Sequence, residues 1–174
     1  MTPEYLAGPP RENGKPRVFC FHTGKSDVFA GWRAELDVCP VRLPVRDLDT
    51  LVADLDVHLG PYLRPPFVFY GHRRGALVAH RFTLHRVDTG QSTPGTLVVG
   101  DCPPPEEGPR LPVPIHVLAG SSPTAALRWA RHTNAVCRVH VVSAAPASPV
   151  VRQLVVAAAH NHGNPAEKLG GLRP

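Results

Sequence analysis

The length and composition of the chain fit one domain of common size. Its 174 residues carry a formal net charge of +5, and 6% of them are aromatic. The arginines are scattered, so the sequence lacks the basic stripe with interleaved aromatic side chains that is typical of a nucleic-acid-binding surface. No run reaches the roughly 18 apolar residues that a membrane span needs. Nucleic-acid binding and membrane insertion are therefore both disfavoured.

The four cysteines give no sign of a metal site or a disulfide framework. Cys20, Cys39, Cys102 and Cys137 form no C-x-x-C pair and show no histidine at ligand spacing. We therefore expect reduced thiols, no bound metal and no cofactor. The first residues lack the apolar core of a signal peptide, which predicts a soluble, cytoplasmic protein.

Short apolar runs alternate with helical patterns along most of the chain. Residues 1–16 and 161–174 are rich in proline, glycine and charge, and are predicted to be flexible tails around a single domain over 17–160. Strands are predicted at 17–21, 38–42, 66–70, 96–100, 114–118 and 138–142. Helices are predicted at 27–36, 48–59, 74–87, 123–132 and 148–160. The helix over 48–59 would present Leu48, Leu51, Val52, Leu55 and Leu59 on one face, with Asp47 as its N-cap.

This alternation predicts a doubly wound α/β fold, with a mainly parallel sheet and helices on both faces. Ligands of such sheets bind outside the carboxyl ends of the strands. The residues predicted to meet at that edge are His22, Leu43 with Pro44, His72 with Arg73, Asp101 with Cys102, Gly120 to Ser122, and Ser143. They are the candidates for a functional site.

The segment VFYGHRRGALVAH (68–80) has the layout of a nucleophile elbow, in which a strand turns sharply into a helix. Gly71 and Gly75 supply the small flanking residues that the turn needs, but Arg73 stands at the tip instead of a serine. A guanidinium stays protonated and is no nucleophile. It can instead bind a carboxylate, phosphate or enolate oxygen at the helix amino terminus. The alternative, weighed equally, is a solvated Arg73–Arg74 pair without a function.

Four segments together resemble the type II thioesterases of polyketide and nonribosomal peptide synthesis, which are α/β-hydrolases. They are RVFCFHTGKSDVFAGW (17–32), DVCPVRLPVRDLDTLVADLDVHLGPYL (37–63), RPPFVFYGHRRGALVAH (64–80) and VPIHVLAGSSPTAALRWARHTNAVCRVHVVSAAP (113–146). In the family these positions hold the first strand with the oxyanion loop, a Leu-Pro-x-Arg signature, the elbow, and the late strands with the acid loop. The resemblance implies a truncated, lidless α/β-hydrolase-like domain.

The resemblance also implies that the catalytic triad of the family is missing. The serine of the family falls on Arg73, the aspartate of its acid loop on Ser122, and its histidine on Pro146. The short segment PPPEEGPRLP (103–112) stands where the family inserts a helical lid. Because a serine hydrolase needs a nucleophile, a base and an orienting acid, hydrolysis by a Ser-His-Asp triad is not expected.

Several other residues at the predicted edge could act chemically. His22, Arg73 and Asp101 are predicted as base, oxyanion stabiliser and orienting group for proton transfer beside a carbonyl. His72 is a second candidate base, although packing is its more common role. Cys102 could be a displaced nucleophile, but a structural thiol is more common. The predicted substrate-binding residues are Arg74, Cys102, Ser121 and Ser122.

Three functions remain open from the sequence. The first, slightly favoured, is a repurposed thioesterase scaffold that binds an acyl or polyketide intermediate and promotes a non-hydrolytic step such as cyclisation or isomerisation. The second is a catalytically inactive accessory protein that binds a carrier protein or synthase, because the positive charge suits an acidic carrier protein. The third is a hydrolase that uses displaced residues. Without a lid, a second copy of the chain could cover part of the surface, which would make a homodimer.

Overall fold

Six strands form one parallel sheet in the computed structural model, which describes residues 5–120, 122–143 and 145–161. The strands are β1 (Arg17–His22), β2 (Asp37–Arg42), β3 (Phe67–His72), β4 (Thr96–Gly100), β5 (Ile115–Ala119) and β6 (Cys137–Val141). Their order across the sheet is β2-β1-β3-β4-β5-β6, and every neighbouring pair is parallel. The predicted doubly wound α/β fold is therefore confirmed.

Helices join these strands along the described ranges. The α-helices are α1 (Leu48–Leu59), α2 (Arg74–Asp88), α3 (Pro123–Leu127) and α4 (Pro149–His160), and the 3₁₀ helices are Ser26–Ala34, Gly60–Tyr62 and Arg128–His132. No helix in these ranges is long and apolar enough to cross a membrane. The predicted helices are all present, but that over 123–132 divides into α3 and a 3₁₀ turn.

The first predicted helix, over 27–36, is a 3₁₀ helix. Gly31 interrupts the segment, and glycine is a poor residue in an α-helix interior. Phe29 and Trp32 are both buried. Because a 3₁₀ helix has three residues per turn, these two aromatic rings lie on the same side and pack against each other, with centroids 5.1 Å apart.

Helix α1 forms where its apolar spacing and its cap predict it. The Asp47 side chain accepts a hydrogen bond from the Thr50 backbone N–H at 2.9 Å, which satisfies a donor of the first turn. The buried positions are Leu51, Val52, Leu55 and Leu59. Leu48 was also expected on this face, but it is exposed in the first turn. The helix thus covers the sheet from its second turn onward.

The core has two layers because successive strand residues point to opposite faces of the sheet. Phe19, Phe21 and Phe69 belong to the layer that α1 and α2 cover. Val18, Cys20 and Tyr70 belong to the opposite layer, which packs against the first 3₁₀ helix and α4. With both faces covered, the two ends of the strands remain accessible, and the carboxyl ends carry the residues predicted to form the site.

Part of the segment expected to be a loose amino-terminal tail contacts the sheet. Tyr5 is only 2% exposed, and its hydroxyl donates to the Asp54 carboxylate at 3.1 Å. Leu6 forms an antiparallel bridge with Val41 of the edge strand β2. These contacts cover part of an edge that would otherwise present unpaired backbone groups. Of the expected carboxyl-terminal tail, only residue 161 lies within the described residues.

Candidate functional site

The turn between β3 and α2 has the strained backbone of a nucleophile elbow. Arg73 has φ 52° and ψ −121°, a conformation that non-glycine residues rarely adopt. Its backbone N–H donates to the carbonyl oxygen of Gly100 at 2.8 Å. Such a residue costs on the order of 1–3 kcal/mol and persists only where the surroundings fix it. The fold therefore holds Arg73 in a conformation that it would not adopt freely.

This turn requires glycine at positions 71 and 75, because neither Gly71 nor Gly75 has room for a side chain. A Cβ at Gly71 would overlap the carbonyl oxygen of Gly75, and one at Gly75 would overlap the carbonyl oxygen of Phe21. In both cases the obstacle is backbone, which cannot rotate away as a side chain can. The two glycines thus bring α2 directly against β1 and β3.

Asp101 orients the Arg73 side chain. The Arg73 Nε donates to the Asp101 Oδ2 at 3.1 Å, while the Arg73 side chain remains 74% exposed. Asp101 itself has φ 50°, and its backbone N–H donates to the carbonyl oxygen of Leu118 at 3.2 Å. Within the described residues, the two terminal nitrogens of Arg73 have no hydrogen-bond partner. They are therefore available to an oxygen-rich ligand.

An open cavity of about 630 Å³ adjoins this arginine. It is lined by His72, Arg73, Asp101, Gly120, Ser143, Ala145 and Pro146. The carboxyl ends of β3, β4 and β5 and the loop after β6 thus meet at one place, which was the expectation for a parallel sheet. Pro146 also links this loop to the first 3₁₀ helix, because its carbonyl oxygen accepts from the Trp32 Nε1 at 3.1 Å.

His72 is the imidazole that shares this cavity. Its Nε2 lies 3.8 Å from the Asp101 Oδ2. Burial lowers the pKa of His72, and the Arg73 charge lowers it further, while Asp101 acts in the opposite direction. The ring is therefore neutral near pH 7 and can accept a proton.

His22 lines a different cavity and does not join Arg73 and Asp101. It is 8% exposed, and its Nδ1 donates to the carbonyl oxygen of Gly24 at 3.0 Å. The ring also packs edge-on against Phe29, with centroids 5.5 Å apart. These contacts turn His22 toward the first 3₁₀ helix. The structure groups Arg73 and Asp101 with His72, whereas the sequence had favoured His22 as the base.

Arg74, which was predicted to bind substrate, supports a loop. Its Nη1 donates to the Pro44 carbonyl oxygen at 2.8 Å and its Nη2 to that of Arg46 at 2.6 Å. Both terminal nitrogens are thus engaged by the segment that follows β2. Ser122 precedes α3 and lines a smaller cavity of about 250 Å³ together with Asp101 and Cys102. Ser121, also predicted to bind substrate, lies outside the described residues.

Cys102 has the properties of a protonated thiol. Burial, with the Asp101 charge adding to it, raises the pKa of Cys102 to about 11. The Sγ lies 3.3 Å from the Pro103 carbonyl oxygen, to which the thiol donates. Since the thiolate is the reactive form, this environment disfavours Cys102 as a displaced nucleophile.

Alkylation of Cys102 is expected to be slow at pH 8. With a pKa of about 11, only about one thiol in a thousand is ionised there, so iodoacetamide should modify Cys102 at least about tenfold more slowly than glutathione, even though its thiolate is the more nucleophilic. Peptide mapping by mass spectrometry measures the rate, and Cys102→Ser identifies the peptide. Modification as fast as that of glutathione would contradict the protonated state.

Comparison with known proteins gives one curated relative that covers part of the chain. No protein-family model matches. The linear gramicidin dehydrogenase LgrE of Brevibacillus parabrevis is 36% identical over a stretch that covers 36% of this chain and 30% of that protein. The match therefore spans about a third of the length of that relative.

Solved structures match most of the chain. The RedJ thioesterase of the prodiginine biosynthetic pathway in Streptomyces coelicolor has a TM-score of 0.73 at 16% identity, with 88% of each chain covered. The type II thioesterase BorB of the borrelidin biosynthetic cluster has a TM-score of 0.75 at 18% identity, with 89% of this chain and 95% of BorB covered. ClbQ of the colibactin pathway has a TM-score of 0.69 at 15% identity, with 84% of this chain and 96% of ClbQ covered. The chain therefore has the α/β-hydrolase fold of these thioesterases, as its resemblance to the type II family predicted.

Proposed function

We propose that the chain acts in natural-product biosynthesis, where it binds an acyl or polyketide intermediate in the Arg73 cavity and promotes a non-hydrolytic step such as isomerisation or cyclisation. Its fold relatives are thioesterases of the prodiginine and borrelidin clusters and ClbQ of the colibactin pathway, which supports the setting. The observation that carries the proposal is the exposed guanidinium at the strained elbow tip, next to a neutral imidazole in one cavity.

In this mechanism Arg73 binds the carbonyl oxygen of the substrate through its terminal nitrogens. The neutral Nε2 of His72 removes a proton from the neighbouring carbon, and the negative charge moves to the carbonyl oxygen. Arg73 stabilises this enolate more strongly than the starting ketone or thioester. In an isomerisation, the His72 imidazolium then returns the proton to a different carbon, so no atom is gained or lost.

Asp101 has two effects in this arrangement. It fixes the Arg73 side chain through the bond to Nε, which leaves the terminal nitrogens for the substrate. It also lies close enough to the His72 Nε2, at 3.8 Å, to stabilise the imidazolium while that ring holds the proton. Asp101 is therefore a positioning residue that acts through both neighbours.

Hydrolysis through an acyl-enzyme is disfavoured on chemical grounds. The elbow presents a guanidinium, which cannot accept an acyl group under these conditions. The thiol of Cys102 is protonated at working pH because burial raises its pKa. A hydrolase that uses displaced residues would need a nucleophile that neither residue supplies.

The test is to follow thiol release and product isomers together on acyl and β-ketoacyl pantetheine thioesters, with uptake of deuterium at the α-carbon as the direct sign of proton removal. We expect deuterium uptake above the uncatalysed rate without thiol release. Arg73→Met and His72→Gln should each lower it at least about 100-fold. Arg81→Met, on the exposed face of α2, is the matched control and should leave the rate unchanged.

The opposite results have clear meanings. Thiol release in proportion to the amount of protein would overturn the non-hydrolytic proposal. If deuterium uptake stays at the uncatalysed rate for every thioester, the chain is not a proton-transfer catalyst for these substrates. If Arg73→Met is as fast as a catalytically active wild type, Arg73 does not stabilise the enolate and the proposed mechanism is wrong.

A catalytically inactive accessory protein is the second candidate, and the openness of the Arg73 cavity favours it. The segment 103–112 forms no helix over the site, and Arg73 is largely exposed. An exposed cation at a rim can contact an acidic carrier protein and increase the association rate. In that case the thioesters return unchanged, and a titration with an acyl carrier protein shows binding that Arg73→Glu weakens and Arg81→Glu does not.

A further inference from the structure

A second cavity, separate from the Arg73 site, lies beside the carboxyl ends of β1 and β2. Its volume is about 460 Å³, and the proposed function uses none of its residues. His22 and Arg42 are direct partners in the β1–β2 register, so their side chains lie on the same face of the sheet. The turn of residues 24–27 and the amino-terminal residues 5–7 complete the lining.

His22 lines this cavity and has an unsatisfied, buried acceptor in its ring. Its Nδ1 must carry the ring proton, because it donates to the carbonyl oxygen of Gly24. The Nε2 is then a lone-pair acceptor, and it is buried without a hydrogen-bond partner among the described residues. Buried polar atoms are nearly always paired, so this nitrogen calls for a donor from elsewhere.

The lining also contains three charged residues. Lys25 and Arg42 contribute two cations and Asp27 one carboxylate. In the part of the chain that the structure describes, none of these three side chains forms a hydrogen bond or an ion pair. Apolar surface from Leu6 and Pro40 lies beside them. The cavity therefore combines both signs of charge with an acceptor and an apolar wall.

We propose that this cavity binds a free α-amino acid with an apolar side chain. The ammonium group donates to Asp27 and to the Nε2 of His22, and the carboxylate accepts from Arg42 and Lys25. The side chain contacts the apolar wall. A simple anion would face the like charge of Asp27, and a simple amine would leave both cations unpaired, so a zwitterion satisfies the lining best.

The test uses the full chain labelled with ¹⁵N-histidine, titrated with L-leucine, L-phenylalanine and glycine up to millimolar concentration. We expect leucine or phenylalanine to shift the His22 Nε2 resonance, and glycine to bind more weakly because it lacks a side chain. Asp27→Asn and Arg42→Gln should each weaken binding at least about tenfold. Arg33→Gln is the matched control, because Arg33 is exposed on the same 3₁₀ helix and does not line the cavity.

Two blocked ligands decide whether both charges matter. N-acetyl-L-leucine lacks the ammonium group, and L-leucinamide lacks the carboxylate, so neither should shift the His22 signal. Binding of either one as tight as that of leucine would overturn the zwitterion proposal, as would the absence of any shift with all three amino acids. Arg73→Met should still bind leucine, so this result is independent of the proposed function.

Discussion

Gly75→Ala is expected to lower the free energy of unfolding by about 3 kcal/mol or more, a large part of the ~5–15 kcal/mol of a typical domain. The new Cβ would overlap the carbonyl group of Phe21, which belongs to β1. The Cβ is fixed by the α2 backbone that carries it, and its obstacle is the backbone of β1, so relief requires that α2 move away from the sheet. That movement would also displace Arg73 and lose the elbow.

Urea unfolding followed by circular dichroism and tryptophan fluorescence measures this change. Gly24→Ala is the matched control, because a Cβ there meets nothing within 4 Å and should leave the midpoint nearly unchanged. An unfolding midpoint for Gly75→Ala equal to that of the wild type would show that α2 and β1 do not approach this closely.

Acidification is expected to destabilise the protein by about 3 kcal/mol through His80 alone between pH 6.5 and about pH 4. His80 is 2% exposed, and burial lowers its pKa from 6.5 to about 4, with smaller contributions from His132 and Arg81. Between these two values the unfolded chain binds more protons than the folded one. The contribution of His80 to the free energy of unfolding is therefore fully present above about pH 6.5, and it is lost as the pH falls toward 4.

The surroundings of His80 explain why it stays neutral. Its ring packs against Trp129 and His132, with centroids 5.3 and 5.5 Å away, and its Nε2 has no hydrogen-bond partner in the described ranges. Burial lowers the pKa of His132 as well. The two rings therefore respond to acid in the same direction.

The measurement is the free energy of unfolding in urea at several pH values between about 4 and 7. His80→Phe keeps an aromatic ring but cannot titrate, so its stability should fall less steeply with acid than that of the wild type. His160→Gln, at the exposed end of α4, is the control and should keep the wild-type slope. If His80→Phe showed the wild-type slope, His80 would not be the group responsible.

Local patterns were sufficient to predict the strands, most helices and the elbow. The alternation of apolar runs with helical spacing can be recognised from residues that are close in sequence. The same is true of the elbow, because Gly71 and Gly75 lie on either side of Arg73. The position of Asp101 at the same edge followed from the rule that parallel strands end together. These features depend on spacing along the chain, which the sequence displays directly.

The choice between the two histidines could not be predicted in this way. His22 and His72 both end a strand at the same edge, so their positions in the sequence are equivalent. The direction of each side chain depends on the following turn, where the Gly24 carbonyl oxygen binds the His22 ring. The burial of Tyr5 depends similarly on Asp54 of α1, which is distant in sequence. Contacts of this kind exist only after folding.

The hydrogen bond between Trp32 and Pro146 connects the first 3₁₀ helix to the Arg73 cavity, while the start of the same helix lines the His22 cavity. Ser26 and Asp27, at the start of this helix, line the His22 cavity. Trp32, near its end, holds the loop whose Pro146 lines the Arg73 cavity. A shift of this one short helix would therefore change the shape of both cavities together.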